Sequence, residues 1–327
     1  MIRKIILLPI FFILLMALAW ACAALLIDGP PSLLFNAISY GQVLAFVFAC
    51  INLVIFARVR PLRVALACSG ALVAAVIVWW SLISPSNDRN WTPEVAQLPH
   101  ATIEGDRVVI TNVRNFDYRS EMDFTPRWET RSYDLSKING LDVFLSYWGS
   151  PWIAHTVMSW EFSDGQHLAI SIETRKEVGE QYSAILGFFR QFELYFVVAD
   201  EGDVVRLRTN FRGEDVYRYR IKDTPAEARA LLLEYLQLAN NLADHPKWYN
   251  AFSHNCTTEI RNIRQSVGRA RSWDWRILVN GHLDEFGYET GMIENSLPFA
   301  EVKAQARITE RAMKTTATDD FSRAIRE

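Results

Sequence analysis

PWIAHTVMSWEFSDGQHLAISIE, Pro151 to Glu173, decides the fold. AHTVMSWEF and HLAISIE are rich in apolar and β-branched residues and flank Ser163-Asp164-Gly165, a pattern that predicts a β-hairpin. His155 lies nine residues before Asp164 and Glu173 lies eight after Gly165, so the two sit at nearly the same height on paired strands. A three-residue turn puts both on one face. His167 shares that face but stands only two residues past the turn. That is about 7 residues from the height of His155, or roughly 23 Å at 3.3 Å per residue, too far to orient it.

Further strands are predicted on either side of the hairpin: VVITNV at 108–113, DVFLSYW at 142–148, ELYFVVA at 193–199, then DVVRLRT and DVYRYRI. From Pro225 to Leu242 the period becomes helical, with Ala228, Leu231, Leu232, Tyr235, Leu236 and Ala239 on one face and Thr224, Pro225 and Glu227 as a start signal. A second helical pattern follows Cys256, with Ile260, Ile263 and Val267 on one face and Gly268 as a stop. From about Ala300 the chain is rich in charge and threonine and is expected to form a surface helix that frays. The expected class is α+β with an antiparallel sheet and a cysteine-bearing helix.

The N-terminal part is different. Ile5–Ile27, Ile38–Ala57 and Val64–Ser84 are apolar runs near the roughly 20 residues that cross a hydrocarbon core, and they predict three transmembrane helices. A cleaved signal peptide is the competing reading of the first run. Arg3 and Lys4 before the first run, and Arg58, Arg60 and Arg63 between the second and third, mark the cytoplasmic ends, whereas IDGPPS carries no basic residue. Everything after about Ser84 is then extracytoplasmic, and Trp79, Trp80 and Trp91 fall in or near the outer interface. The expected organisation is a membrane anchor over 1–86, a linker over 87–100, an outer domain over 101–299 and a charged tail over 300–327. A net charge of −3 with no dense basic stretch argues against nucleic acid as a partner.

Cys22, Cys50 and Cys68 lie within the apolar runs, where cysteine behaves as a small apolar residue. Cys256, in SHNCTTE (253–259), is the fourth, alone in the polar part and at or beside a helix start. There the helix dipole and unpaired N–H groups favour the thiolate and can hold an oxyanion. The competing reading is a half-buried cysteine with Asn255 as a mere cap. An unpaired thiol outside the membrane is a liability unless used, which favours a nucleophile.

A nucleophile needs a base. His254 is too close in sequence to face the thiol, His100 is in the linker, and His245 precedes Pro246 in a turn. His282, in NGHLDEFG, reads as a surface turn and stays open as an alternative. His155 starts a strand that can face a neighbouring helix N-terminus. Glu173 is the third group, holding the imidazole tautomer, or else a strand-end glutamate paired with Arg175 or Lys176. No CxxC pair or HExxH helix occurs, and neither a metal nor a cofactor is expected.

NVRNFDYRSEMDFTPRWETRSYDL, LSYWGSPWIAHTVMSWEFSDGQHLAISIETRKEVGE and SHNCTTEI, in that order, resemble the Lnb-type periplasmic domain family of lipoprotein N-acyltransferases, over most of Val108 to about Gly268. That family is in turn similar to the papain-like NlpC/P60 superfamily in its permuted arrangement, with the histidine strand before the cysteine helix, as in the lecithin:retinol acyltransferase relatives. The resemblance implies Cys256 as nucleophile and His155 as base. It also implies an acyl chain taken from phospholipid through a Cys256 thioester to an amine, such as the N-terminus of a lipoprotein. Those relatives also have two histidines twelve residues apart, but the longer hairpin arms here put His167 at the wrong height.

The sequence therefore predicts a bacterial inner-membrane, multi-pass acyltransferase with a periplasmic catalytic domain, a phospholipid donor and a lipoprotein acceptor. Weaker substrate-binding candidates are Asn255, then Tyr118 and Arg119 in NFDYRS, which with Asp117, Arg127 and Arg131 suit a phosphate headgroup or plain surface ion pairs. Trp148 and Trp152 suit an acyl groove or core packing. Two alternatives stand beside this reading: a cysteine peptidase or amidase acting on peptidoglycan stem peptides, and a non-catalytic scaffold that binds lipoproteins.

Overall fold

The computed structural model describes residues 2–30, 32–56, 59–251, 253, 255–316 and 319–327, with side chains outside 2–12, 49–50 and 52–62. Two compact units emerge, one of residues 1–85 with 183–191, the other of 86–182 with 192–327.

The first unit holds α1 (Ile2–Ile27), α2 (Leu33–Phe56) and α3 (Val59–Ser81). Among the described residues, Arg63–Ser81 is one stretch long and apolar enough to cross a membrane, and shorter apolar helical stretches run over Ile13–Ile27 and Leu33–Phe48. The remainder of the first two expected spans falls partly on residues outside the description, as does the side chain of Cys50. Segment 183–191 belongs to this unit because Phe189 packs with Ala21, Ala24, Leu25 and Val76. Asp28, just past α1, is satisfied by three donors: Trp80 Nε1 at 2.6 Å, Gln191 Nε2 at 2.8 Å and the Arg190 N–H at 3.0 Å. The Arg190 guanidinium lies 3.9 Å over the Trp80 ring, a cation–π contact.

The second unit is built on one large sheet. Its strands are β1 (His100–Glu104), β2 (Arg107–Arg114), β5 (Trp128–Asp134), β6 (Ile138–Tyr147), β7 (Ala154–Phe162), β8 (His167–Arg175), β9 (Glu193–Ala199) and β10 (Asp215–Ile221). The short pair β3 (Asp117–Tyr118) and β4 (Phe124–Thr125) stands apart. The order is β1-β2-β9-β8-β7-β6-β10, with β5 also on β2, and every pairing is antiparallel except β2 with β9. The predicted hairpin is β7–β8, in the register Val157↔Ser171 and Glu161↔His167. Continued by two residues, that register sets His155 opposite Glu173.

One sheet face is covered by α5 (Pro225–Asp244), which begins with the Thr224–Glu227 capping box. Its Tyr235 meets Trp160 edge-on at 5.2 Å, and Trp160 Nε1 donates to Ala228 O at 2.8 Å, so the largest side chain in the core is buried with its one donor satisfied. Also in this unit are α6 (Cys256–Ser266), ended by Gly268 at φ +71°, and α7 (Leu283–Glu289). The opposite sheet face meets α4 (Glu201–Arg206), α9 (Thr309–Met313) and α10 (Phe321–Ala324), through Val157, Val204, Val205, Ala312 and Phe321.

Three expectations are corrected here. DVVRLRT is not a strand: Asp200 caps α4 by accepting from Gly202 N–H at 2.8 Å, and the helix runs on into a π-helical turn, Leu207–Phe211. Its two adjacent valines are both buried, which a strand with one face in the core does not require. His100 is in β1, not in a linker, and Trp91 packs on the core and under Arg175, 4.2 Å from its guanidinium. The stretch after Ala300 is not a fraying surface helix. It forms α8 (Phe299–Ala306), α9 and α10, and Ile308, Ala312, Phe321 and Ile325 are buried.

Arg326 is held in the same region by buried acids, donating to Asp142 Oδ2 at 2.8 Å and to both oxygens of Glu201 at 2.7 and 2.8 Å. Burial works against the Glu201 carboxylate, yet the hydrogen bonds and charge of Arg326 hold its pKa down to about 2, from an ordinary 4.5. A depressed carboxylate stabilises the fold above its unfolded pKa, so this contribution is present above about pH 4.5 and is lost as pH falls through about 2. Arg326→Ala leaves Glu201 buried without its ion-pair partner, whereas Asp142 keeps Arg218 and Arg220, and a loss of about 3–5 kcal/mol is expected. Urea unfolding at pH 7 checks it: an unchanged midpoint means that Glu201 finds solvent instead.

Candidate active site

Cys256 is the first residue of α6, placed there by Asn255. The Asn255 Oδ1 accepts from the N–H of Thr257 at 3.0 Å and of Thr258 at 2.9 Å, while Thr258 Oγ1 accepts from Asn255 N–H at 2.9 Å. The Asn255 amide also donates to Ala251 O at 2.7 Å. The hydrogen bonds of this side chain are thus taken up by the cap and by Ala251 O. The cap engages the second and third N–H groups of the helix rather than that of Cys256 itself.

The thiol is half-buried and surrounded by donors. It shares a hydrogen bond with the His155 imidazole and accepts from the Thr156 N–H. Thr257 Oγ1 and Asn280 Nδ2 each lie 3.7 Å from its sulfur. Burial pushes the thiol up, but His155, the Thr257 hydroxyl and the Thr156 N–H together bring it below the ordinary cysteine value.

His155 Nε2 is 2.5 Å from Ser171 Oγ and 3.4 Å from Glu173 Oε1, and Ser171 Oγ donates to that same oxygen at 2.8 Å. Ser171 has one proton and gives it to Glu173, so it must accept from Nε2–H. That fixes the neutral tautomer with Nδ1 unprotonated, the nitrogen left for the thiol. Burial and the nearby Arg208 charge push His155 down, yet the hydrogen bonds with Cys256 and Glu173 and the carboxylate charge raise it above the ordinary histidine value. Glu173 is destabilised by burial but held well below the usual carboxylate range by His155 and Arg208. Arg208 Nη2 donates to Glu173 Oε1 at 3.0 Å, and its Nη1 lies 3.3 Å from Glu214, which in turn accepts from Ser146. The competing partners of Glu173 are occupied elsewhere: Arg175 by Val95 O and Ala96 O, Lys176 by Glu94.

Sequence reasoning missed four of these residues. Ser171 lies inside the hairpin, two positions before Glu173 on the same face, and the strand period alone was enough to find it. Arg208 was hidden by reading its segment as a strand; the π-helical turn brings it to Glu173. Thr156 acts through its backbone, which no side-chain pattern reports. Asn280 lies 24 residues past Cys256, its Oδ1 accepting from Ala154 N–H at 2.9 Å and its Nδ2 donating to Thr257 Oγ1 at 2.8 Å. It is held there by Gly281, whose N–H donates to Trp152 O at 2.9 Å and where an added Cβ would stand 2.1 Å from Pro151 O. Only glycine permits that approach.

Of the remaining candidates, His245 is exposed and bonded to Asn241, and His254 lies outside the described residues. His282 is not a surface turn: its ring lies between Trp152 at 4.9 Å and Trp275 at 5.7 Å. His167 pairs across the hairpin with Glu161, six residues along β7 from His155. Arg119 is held by Asp123 and Thr125, and the Tyr118 ring is packed among Phe116, Phe124 and Phe211, so neither contacts the cysteine, the histidine or their partners. Arg127 and Arg131 are paired with Glu129. Trp148 and Trp152 are 46% and 56% exposed, which removes the core-packing reading for both.

Residues 124–281 match the family model of the Lnb N-terminal periplasmic domain. This part of the chain is an Lnb-type periplasmic domain. His155, Ser171, Glu173, Arg208, Cys256 and Asn280 all lie within the Lnb-type domain, whereas Tyr118 and Arg119 precede it. No curated protein and no solved structure matches the chain.

Proposed function

We propose that the protein is a thiol acyltransferase of the bacterial envelope, anchored in the inner membrane by its three N-terminal helices, with a permuted papain-like domain working in the periplasm. The observation that carries the reading is the alignment Cys256, His155, Ser171, Glu173, with the thiol pKa lowered and the imidazole pKa raised. A solvent-exposed or merely packed cysteine has no use for a base with a fixed tautomer. The Lnb-type domain supports lipoprotein N-acylation as the context, and Trp148, Trp152 and Ile153, exposed just ahead of His155 on β7, suit a substrate delivered from lipid.

In the first half-reaction His155 Nδ1 takes the thiol proton and the thiolate attacks the acyl carbonyl of a phospholipid ester. The tetrahedral intermediate collapses with cleavage of the ester C–O bond, and His155 gives its proton to the departing lysophospholipid oxygen. In the second half, the amine of a diacylglyceryl lipoprotein N-terminus attacks the thioester and loses a proton to His155. The C–S bond breaks, the thiolate recovers the proton, and an amide is released. Glu173 stays ionised throughout and stabilises the imidazolium through Ser171, and Arg208 holds Glu173 in place. Asn280 and the Thr156 N–H supply hydrogen bonds at the sulfur.

The test is intact mass spectrometry of the detergent-solubilised protein after incubation with phospholipid. An adduct of acyl-chain mass is expected, cleaved by hydroxylamine as a thioester is, and lost on adding a lipopeptide that gains the same mass as an amide. No adduct on a protein whose Cys256 alkylates readily would sink phospholipid acyl transfer.

A further inference from the structure

A second feature lies one residue from the nucleophile. Beneath α6 is a cavity of about 110 Å³ walled by the sheet, α6 and α7. Leu145, Met158, Ile260, Phe286 and Ile293 make its lining predominantly apolar. On α6 the lining runs from Thr257 to Arg264, two turns, about 10 Å at 1.5 Å per residue. At its Cys256 end stand Thr257, in contact with the sulfur, and Thr156, whose N–H donates to it.

Several polar groups of the wall are paired. Tyr219 donates to Asp284, Arg264 is paired with Asp223, and Thr257 accepts from Asn280. Thr156 is 2% exposed, and its Oγ1 has no partner among the described residues. A buried hydroxyl left unsatisfied has given up its hydration without return, and a ligand oxygen at the entrance completes it.

We infer that this cavity takes the carbonyl-proximal methylenes of the acyl chain: the chain of the Cys256 thioester enters between Thr156 and Thr257 and runs along α6 toward Gly287 and Ile293. The inference rests on the thioester reading above and adds where the site distinguishes a longer acyl chain from a short acyl group. A dry cavity of about 150 Å³ holds one six-carbon benzene ring, so this smaller one takes the first few methylenes of a chain and leaves the rest outside. The Thr156 hydroxyl is left facing the acyl carbonyl oxygen at the entrance.

The experiment compares Cys256 acylation by 4-nitrophenyl acetate and 4-nitrophenyl octanoate on the full chain in detergent, read by intact mass. In the wild-type protein octanoate is expected to acylate at least about tenfold faster, because even two buried methylenes are worth that much. Gly287→Leu fills the cavity from α7, where a Cβ meets Ile293 at an ordinary 3.5 Å, and Ile293→Phe fills it from a second segment. Each is expected to lower the octanoate-to-acetate ratio at least about tenfold. If both esters acylate Cys256 but the wild-type ratio is flat, or both variants keep it, the cavity is not the chain site and the thioester reading stands. If neither ester acylates a thiol that iodoacetamide alkylates, the thioester reading fails and the assignment falls with it. The wild-type ratio decides the matter even if a variant does not fold.

Discussion

Cys256→Ser is expected to lower the rate of lipopeptide acylation at least about 10⁴-fold, the range seen when a nucleophile is removed from a working constellation. Everything around the residue is arranged for sulfur. The His155 hydrogen bond and charge, the Thr257 hydroxyl and the Thr156 N–H together lower the thiol below the ordinary cysteine value, against the upward push of burial. The same surroundings leave a hydroxyl protonated, so the serine attacks as a weak nucleophile and forms an ester instead of a thioester. The measurement is turnover of a fluorescent diacylglyceryl lipopeptide in phospholipid vesicles, with the mass of the resting enzyme as a second readout. Turnover within tenfold of wild type means the acyl group never passes through this residue.

His155→Ala has the second largest expected effect, with a signature that a packing role does not produce. The imidazole is the general base of the proposed mechanism, and its hydrogen bond and charge also lower the thiol. Without it, burial dominates and the thiol pKa rises above the ordinary cysteine value. The sign follows directly. A lowered thiol pKa means that thiolate is present at lower pH, so wild-type alkylation by iodoacetamide extends to lower pH than that of an ordinary cysteine. In the variant the profile moves to higher pH, and at pH 6.5 the rate is expected to fall by about tenfold or more. Acyl transfer is expected to fall about 10²–10⁴-fold, the usual worth of a positioned acid–base group. Superimposable alkylation profiles would show that the imidazole does not act on the sulfur.

How much of this was legible in the sequence depends on the range of the interaction concerned. The β7–β8 hairpin was readable because strand period and turn residues are local, and with the hairpin came the placement of His155 opposite Glu173. The helix behind Cys256 was readable for the same reason: Asn255, a helical apolar face and Gly268 lie within 14 residues. The 203–209 segment misled because Val204, Val205 and Leu207 suit a strand on β-propensity, whereas the Asp200 cap and burial on a sheet face favour a helix there. The tail misled because its charge is high. Its few apolar residues and Arg326 find buried partners more than a hundred residues away, and composition does not report that.

The sequence by itself determined the α+β class, the thiol at a helix start and the histidine and glutamate at one height on a hairpin, all consequences of backbone periodicities of 2 and 3.6 residues. Tertiary structure alone decided what surrounds them. Arg208 on Glu173, Asn280 beside Cys256, Arg326 between Asp142 and Glu201, and the apolar cavity under α6 each join segments far apart in the chain. Such contacts are set by how the elements pack against the sheet, and residue order carries no local trace of them.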